Sequence, residues 1–138
     1  MKKVIGVAIL VIIIFFVIIF MFTNDFSNIA KIEYQKYNYT NGSFGEVIII
    51  NDKDRIKQIT KILNKGKHYK KIVYKKAYRE TYKLILMYED GTTEVIRIWK
   101  DFGPDVDMFE SETRFGVYKI KNKKSREILS EILNWTAL

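Results

Sequence analysis

An uninterrupted apolar segment at the N-terminus is the feature that most constrains how this chain can fold. Residues 4–22 carry no charged side chain, and only Gly6 and Ala8 are small. A helix rises about 1.5 Å per residue, so these residues would extend roughly 28 Å, close to the thickness of a bilayer's hydrocarbon core. The sequence therefore predicts an N-terminal transmembrane anchor over residues 1–22.

The residues around this segment predict an orientation for the anchor. Lys2 and Lys3 precede it and Asp25 is the first charge after it, which places the N-terminus in the cytoplasm. Signal peptides are cleaved after small residues, whereas residues 20–25 are bulky or polar, so we expect the anchor to be retained. The predicted localisation is the cell membrane, single-pass, with the C-terminal domain extracytoplasmic. Residues 23–30 would form a juxtamembrane connector.

Residues 31–138 have the composition of one globular domain with a basic surface. The chain has a formal net charge of +8, of which Lys2 and Lys3 supply two, so the rest carries +6. A basic domain favours anionic partners such as lipid headgroups, acidic polymers or nucleic acid. The chain has no cysteine, which excludes disulfides, thiolate zinc sites and a cysteine nucleophile.

The apolar periodicity predicts two strands, a helix, further strands and a closing helix. Alternation over residues 31–39, the turn sequence NGSFG and an apolar run over residues 46–50 indicate a first pair of strands. Helical spacing is seen at two sets of positions: Ile56, Ile59, Ile62 and Leu63, and Ile128, Leu129, Ile132 and Leu133. Asn51 or Asp52 would cap the first helix and Asn122 the second.

Two β-rich runs flank Asp90 and Gly91, a dipeptide favoured in two-residue type I′ hairpins. Such a turn would set Ile85 opposite Ile96 and Tyr82 opposite Trp99. The predicted fold class is α+β: an antiparallel sheet of about 4–5 strands packed by two helices, preceded by one transmembrane helix. The second face of the predicted hairpin, a candidate partner face, would consist of Ile85, Met87, Ile96 and Ile98.

The hairpin sequence YKLILMYEDGTTEVIRIW, followed by GVYKI and a closing amphipathic helix, resembles the YhfM-like group of domains. These are small extracytoplasmic domains of Gram-positive bacteria. The resemblance covers roughly residues 32–133 and implies an envelope location without a known activity or any catalytic residue to transfer. The missing cysteine departs from the lipoprotein form of such domains and favours a helical anchor.

The sequence offers few candidates for catalysis or metal binding. His68 is the only histidine, and its exposed-looking loop does not suggest a catalytic triad. Acidic residues are frequent in residues 101–112, but Phe109 and Glu110 break the calcium-loop pattern that Asp105 and Asp107 begin, which favours a solvated loop. No glycine-rich phosphate loop is present. We therefore predict no catalytic residue, no metal ligand and no cofactor.

Residues 61–79 hold eight basic side chains and no acidic one, with tyrosines interleaved. This composition suits phosphate contacts, and an extracytoplasmic location favours anionic lipid or wall polymer over nucleic acid. A solvated basic face, or one that pairs with residues 101–112, is the alternative. The candidate anionic-surface residues are Lys65, Lys67, Lys70, Lys71, Lys75, Lys76, Arg79, Tyr69, Tyr74 and Tyr78.

The absence of catalytic constellations favours a noncatalytic binding or accessory module that recognises an envelope protein or an anionic surface. One alternative is an immunity or stress protein of the cell envelope, which fits the small size and the basic anchor. The other, a small hydrolase or metal-dependent enzyme using His68 or residues 101–112, is disfavoured because their spacing fits no known site.

Overall fold

A computed structural model describes residues 2–22 and 24–134, without the side chains of residues 19–22. The last four residues of the predicted domain, 135–138, lie outside the described residues. The chain begins with helix α1, Lys2–Phe22. The large apolar side chains of residues 4–18 are all exposed on this helix.

The described part of the chain contradicts the predicted transmembrane anchor. No helix among the described residues is both long and apolar enough to cross a membrane. The predicted signal anchor and the single-pass localisation that depended on it are thus corrected.

Within the described residues, the domain that follows is built on one sheet of eight strands. In chain order, the elements are β1 (Ile29–Asn38), β2 (Ser43–Phe44), β3 (Ile48–Ile50), α2 (Lys53–Lys65), β4 (Lys67–Tyr69), β5 (Tyr82–Tyr88), β6 (Thr93–Gly103), β7 (Val106–Ser111), β8 (Val117–Ile120) and α3 (Lys123–Asn134). The strands lie in the order β2-β1-β5-β6-β7-β8-β4, with β3 also paired to β1. Every pairing is antiparallel.

The predicted fold class is therefore corrected in strand number as well as in its membrane helix. The architecture is α+β, but the sheet has eight strands instead of four or five. The short strands β2 and β4, which were not predicted, account for part of the difference. The rest comes from residues 101–112, where β6 runs on to Gly103 and β7 returns from Val106, so the predicted acidic loop is a hairpin.

The β5–β6 hairpin is shifted by one residue from the predicted register. Ile85 lies opposite Val95 and Tyr82 opposite Ile98. The turn contains residues 89–91, with Gly91 at a φ of 87°, so it is a three-residue loop closed by a glycine in the left-handed region. Because side chains alternate along a strand, this shift moves every β6 residue to the opposite face.

Helices α2 and α3 cover one face of the sheet and form the main core with it. The buried residues of α2 are Ile56, Ile59, Ile62 and Leu63, as their helical spacing predicts. Leu129, Ile132 and Leu133 are buried on α3, and Ile128 is half-buried against the core. Asp52 caps α2 and Asn122 caps α3, which confirms both predicted starts.

A second, smaller cluster lies on the opposite face of the sheet. Trp99, Met108 and Val117 are its buried members. The partly buried side chains that pack on them are Tyr69, Ile72, Tyr74 and Phe102. The segment that holds Ile72 and Tyr74 therefore lies over this face, and the Tyr74 ring is beside Lys119 of β8.

Candidate anion-binding site

Three lysine side chains converge on the ring of Tyr69 at the edge of the sheet. Strand β4 pairs with β8 so that Lys67 lies opposite Lys119, and Tyr69 opposite Val117. Residues two apart on a strand share a face, which brings Lys121 to the same side. The ammonium nitrogens of Lys67, Lys119 and Lys121 lie 5.4, 5.1 and 5.9 Å from the centroid of the Tyr69 ring. We call these four residues the Tyr69 lysine cluster.

Tyr74 completes the surroundings of the cluster. Its ring centroid is 5.1 Å from the Lys119 ammonium, and it packs edge-on against Phe102. Lys121 donates a hydrogen bond of 3.3 Å to the Tyr69 hydroxyl. Aromatic faces attract cations, so the two tyrosines hold ammonium groups whose mutual repulsion would otherwise spread them apart.

The lysines and tyrosines of the cluster and its rim shift one another's pKa values. The hydrogen bond from Lys121 lowers the pKa of Tyr69 from its usual value, and the charges of Lys121 and Lys67 act in the same direction. A hydrogen bond with Tyr74 raises the pKa of Lys119. Within the described residues, none of the three lysines forms a salt bridge to a carboxylate.

The structure divides the predicted basic strip into separate environments. Lys67, Tyr69 and Tyr74 belong to the cluster or its rim. Lys76 instead pairs with Glu110 at 2.5 Å, and its ammonium lies 5.1 Å from the Trp99 ring centroid, so its charge is compensated. Lys65, Lys70, Lys71 and Lys75 are exposed.

Arg79 and Tyr78 lie apart from the cluster, among aromatic side chains of the β1–β2 hairpin. The Arg79 guanidinium is 5.5 Å from the Tyr37 ring and 5.6 Å from the Phe44 ring. Tyr78 contacts Tyr39 edge-on, with 6.4 Å between ring centroids. The ten predicted residues therefore do not form one binding surface.

Two lysines of the cluster were missed by the sequence prediction. Lys119 and Lys121 lie about fifty positions after Lys67, outside the basic strip, and only the β4–β8 pairing brings them beside Tyr69. Their alternation in the segment YKIKNKK was the one available signal, because it places both on one face of a strand.

His68 has a packing role in the structure. Its ring stacks on Tyr118 with centroids 4.0 Å apart. Its Nε2 donates to the Phe115 carbonyl over 2.7 Å, which requires the tautomer with hydrogen on Nε2. This hydrogen bond ties β4 to the turn that precedes β8.

The acidic residues of 101–112 are used in ion pairs. Asp107, fully buried, accepts from Lys100 at 2.6 Å, and Arg126 lies 3.3 Å away. Glu112 pairs with Arg97 at 2.6 Å. Among the described residues no group of three or more His, Cys, Asp or Glu side chains could hold a metal ion.

The candidate partner face is divided between the two faces of the sheet. Ile96 and Ile98 have no exposed surface and belong to the main core. Ile85 and Met87 are half-buried on the opposite face. The one-residue shift of the hairpin is the reason, so the four residues do not present a common surface.

Comparison of the chain with protein-family models, curated proteins and solved structures finds no match. Its resemblance to YhfM-like domains therefore stays a prediction. A functional conclusion has to rest on the chemistry of the chain's own side chains, because fold alone does not determine activity.

Proposed function

We propose that this chain is a binding module that holds a phosphate-bearing anionic ligand at the Tyr69 lysine cluster. Three ammonium groups that form no salt bridge among the described residues converge on one ring, 5.1–5.9 Å from its centroid, and this is the observation that carries the proposal. Bringing like charges together costs free energy, and an anion placed among them offsets that cost. The predicted noncatalytic role agrees with this chemistry.

Lysine is suited to phosphate because each ammonium is a compact point charge with three donors. A single carboxylate carries one charge over two oxygens and would leave most of the +3 of this cluster uncompensated. A phosphate ester chain or a field of phosphate groups presents several charges at spacings that flexible lysines can meet. The ligand class is therefore phosphate-bearing, with several negative charges.

Single-stranded nucleic acid fits the cluster less well. Such binding relies on aromatic faces that are free to stack with bases. The Tyr69 ring is surrounded by lysine ammonium groups, and Trp99, the one tryptophan among the described residues, is buried. The Tyr69 and Trp99 rings therefore offer no free face for base stacking, which favours phosphate contacts at the cluster.

Titration of the full chain with linear inorganic polyphosphate tests the proposal. We expect Lys119→Gln/Lys121→Gln to weaken binding roughly tenfold or more, because each removed charge near a polyanion is worth about 1 kcal/mol. Lys53→Gln/Lys57→Gln, on the exposed face of α2, has the same net charge and should bind like the wild type. Calorimetry at low and moderate salt measures both affinities and their screening.

Equal weakening by the two double variants would mean that net charge, and not the cluster, governs binding. Absence of polyphosphate binding by the wild type at low salt would remove the proposed function altogether.

A further inference from the structure

Among the described residues of the domain, the two most exposed large apolar side chains lie in segments next to strands β4 and β8. Phe115 is 88% exposed and Val73 is 87% exposed. Single exposed apolar residues are common on protein surfaces. These two are informative because both extend from segments that the structure fixes against strands β4 and β8.

Phe115 lies in the turn between β7 and β8, which is fixed against the end of β4. Its carbonyl accepts the His68 hydrogen bond of 2.7 Å. Gly116 lies so close to β4 that a Cβ there would be 2.2 Å from the Tyr69 carbonyl oxygen and 2.7 Å from the Lys70 Cα. The Phe115 ring therefore extends into solvent from a turn that contacts the backbone of Tyr69 and Lys70.

Val73 is held by its neighbours. Ile72 and Tyr74 pack on the cluster of Trp99, Met108 and Val117, while Val73 between them remains exposed. Lys70, Lys71 and Lys75, all exposed, flank it along the chain. An apolar side chain on an anchored segment with lysines on both sides has the composition of a membrane-surface contact.

We propose that this end of the domain docks peripherally on a bilayer surface rich in anionic phospholipids. The lysines of the cluster contact the headgroup phosphates while Phe115 and Val73 enter the interfacial region. The inference rests on the proposed function, since the same cluster binds the phosphates. It goes further in naming the source: a water-soluble phosphate polymer offers nothing for two exposed apolar side chains to enter, whereas a bilayer interface does. The tyrosines beside the lysines also suit the headgroup level.

Vesicle sedimentation with the full chain tests this inference. The probes are vesicles of phosphatidylglycerol with phosphatidylcholine and vesicles of phosphatidylcholine alone. We expect Phe115→Ser/Val73→Ser to lower partitioning onto the anionic vesicles about tenfold, because buried apolar area is lost. Its affinity for inorganic polyphosphate should be unchanged, since the lysines remain.

Val47→Ser/Ile49→Ser is the matched control. These side chains are also exposed, at 52% and 55%, but they lie at and beside strand β3, at the other edge of the sheet from β4. This variant should partition like the wild type. Helix α1, with its exposed apolar side chains, is identical in all variants, so differences between them report on the docking end alone.

Two results separate this inference from the proposed function. In the first, the wild type binds polyphosphate, and the Phe115→Ser/Val73→Ser variant binds anionic vesicles as tightly as the Val47→Ser/Ile49→Ser control does. The docking inference is then overturned, and the proposed function stands. If the wild type does not bind polyphosphate, the proposed function fails and the inference fails with it.

Discussion

At the scale of single residues, Asp107 is the buried charge that joins the sheet to helix α3. It has no exposed surface, accepts from the Lys100 ammonium and lies 3.3 Å from the Arg126 guanidinium. The backbone N–H of Asp101 also donates to it, at 2.9 Å. Neutralising this carboxylate would leave two cations without their buried partner. Removing one partner of a buried ion pair is strongly destabilising, because the remaining charge is left uncompensated.

We expect Asp107→Asn to lower the free energy of unfolding by roughly 3 kcal/mol, measured by urea denaturation. Asp105→Asn is the control, because its side chain is fully exposed and lies 3.7 Å from the same guanidinium. Asparagine also tolerates the positive φ of 55° at that position. The control should leave stability almost unchanged, and a similar loss in both variants would mean that burial at Asp107 is not the source of the effect.

Strand β4 depends on a close backbone approach at Gly116. The glycine has a φ of 81°, and the nearest atom to an added Cβ would be the Tyr69 carbonyl oxygen. Gly91 has a similar φ of 87° but open space around the same position. The two glycines therefore share the conformational requirement and differ only in contact with β4.

We expect Gly91→Ala to lower the free energy of unfolding by about 1 kcal/mol, because a Cβ is sterically unfavourable in the left-handed region. Gly116→Ala should cost roughly 2 kcal/mol more, because strand β4 has to move away from β8. Hydrogen exchange at the amides of β4 should then accelerate, and polyphosphate affinity should fall with the loss of the Lys67–Lys119 pairing. Equal destabilisation by the two variants, with β4 still protected, would show that the contact at Gly116 is unimportant.

The secondary elements show where sequence reasoning succeeds and where it fails. The buried stripes and caps of α2 and α3 were predicted because their determinants lie within a few residues of one another. The predicted register of the β5–β6 hairpin was wrong by one residue. The reason is that Asp90-Gly91 fits both a two-residue turn and the last two residues of a three-residue loop. Lys119 and Lys121 could not be assigned to the site, since the pairing that places them is a property of the assembled sheet.

On the scale of the whole molecule, Glu94 joins segments that are far apart in the chain. It is 5% exposed and accepts from Tyr88 at 2.5 Å and from Arg114 at 2.7 Å, with Ser111 also donating. Arg114 stacks 3.9 Å from the Phe26 ring centroid and pairs with Asp25. The network thus connects the β5–β6 hairpin, the turn before β8 and the segment that follows α1.

This network predicts how the stability of the domain depends on pH. Burial alone would raise the pKa of Glu94, but the hydrogen bonds from Arg114, Ser111 and Tyr88 together outweigh it and hold the pKa below its usual value. A carboxyl whose pKa is lower in the folded state stabilises the fold above its unfolded pKa of about 4.3, and that contribution is lost as the pH falls toward the folded pKa.

Glu94→Gln should therefore be less stable than the wild type at pH 7, and the difference should shrink on acidification below about pH 4.3. Urea denaturation between pH 7 and pH 3 measures this convergence. Glu46→Gln, at an exposed position, corrects for the general effect of losing one carboxyl. If the curves of Glu94→Gln and the wild type stay parallel down to pH 3, the ionised form of Glu94 is not what holds these three segments together. Convergence would instead identify the Glu94 carboxylate as the charge on which their packing depends.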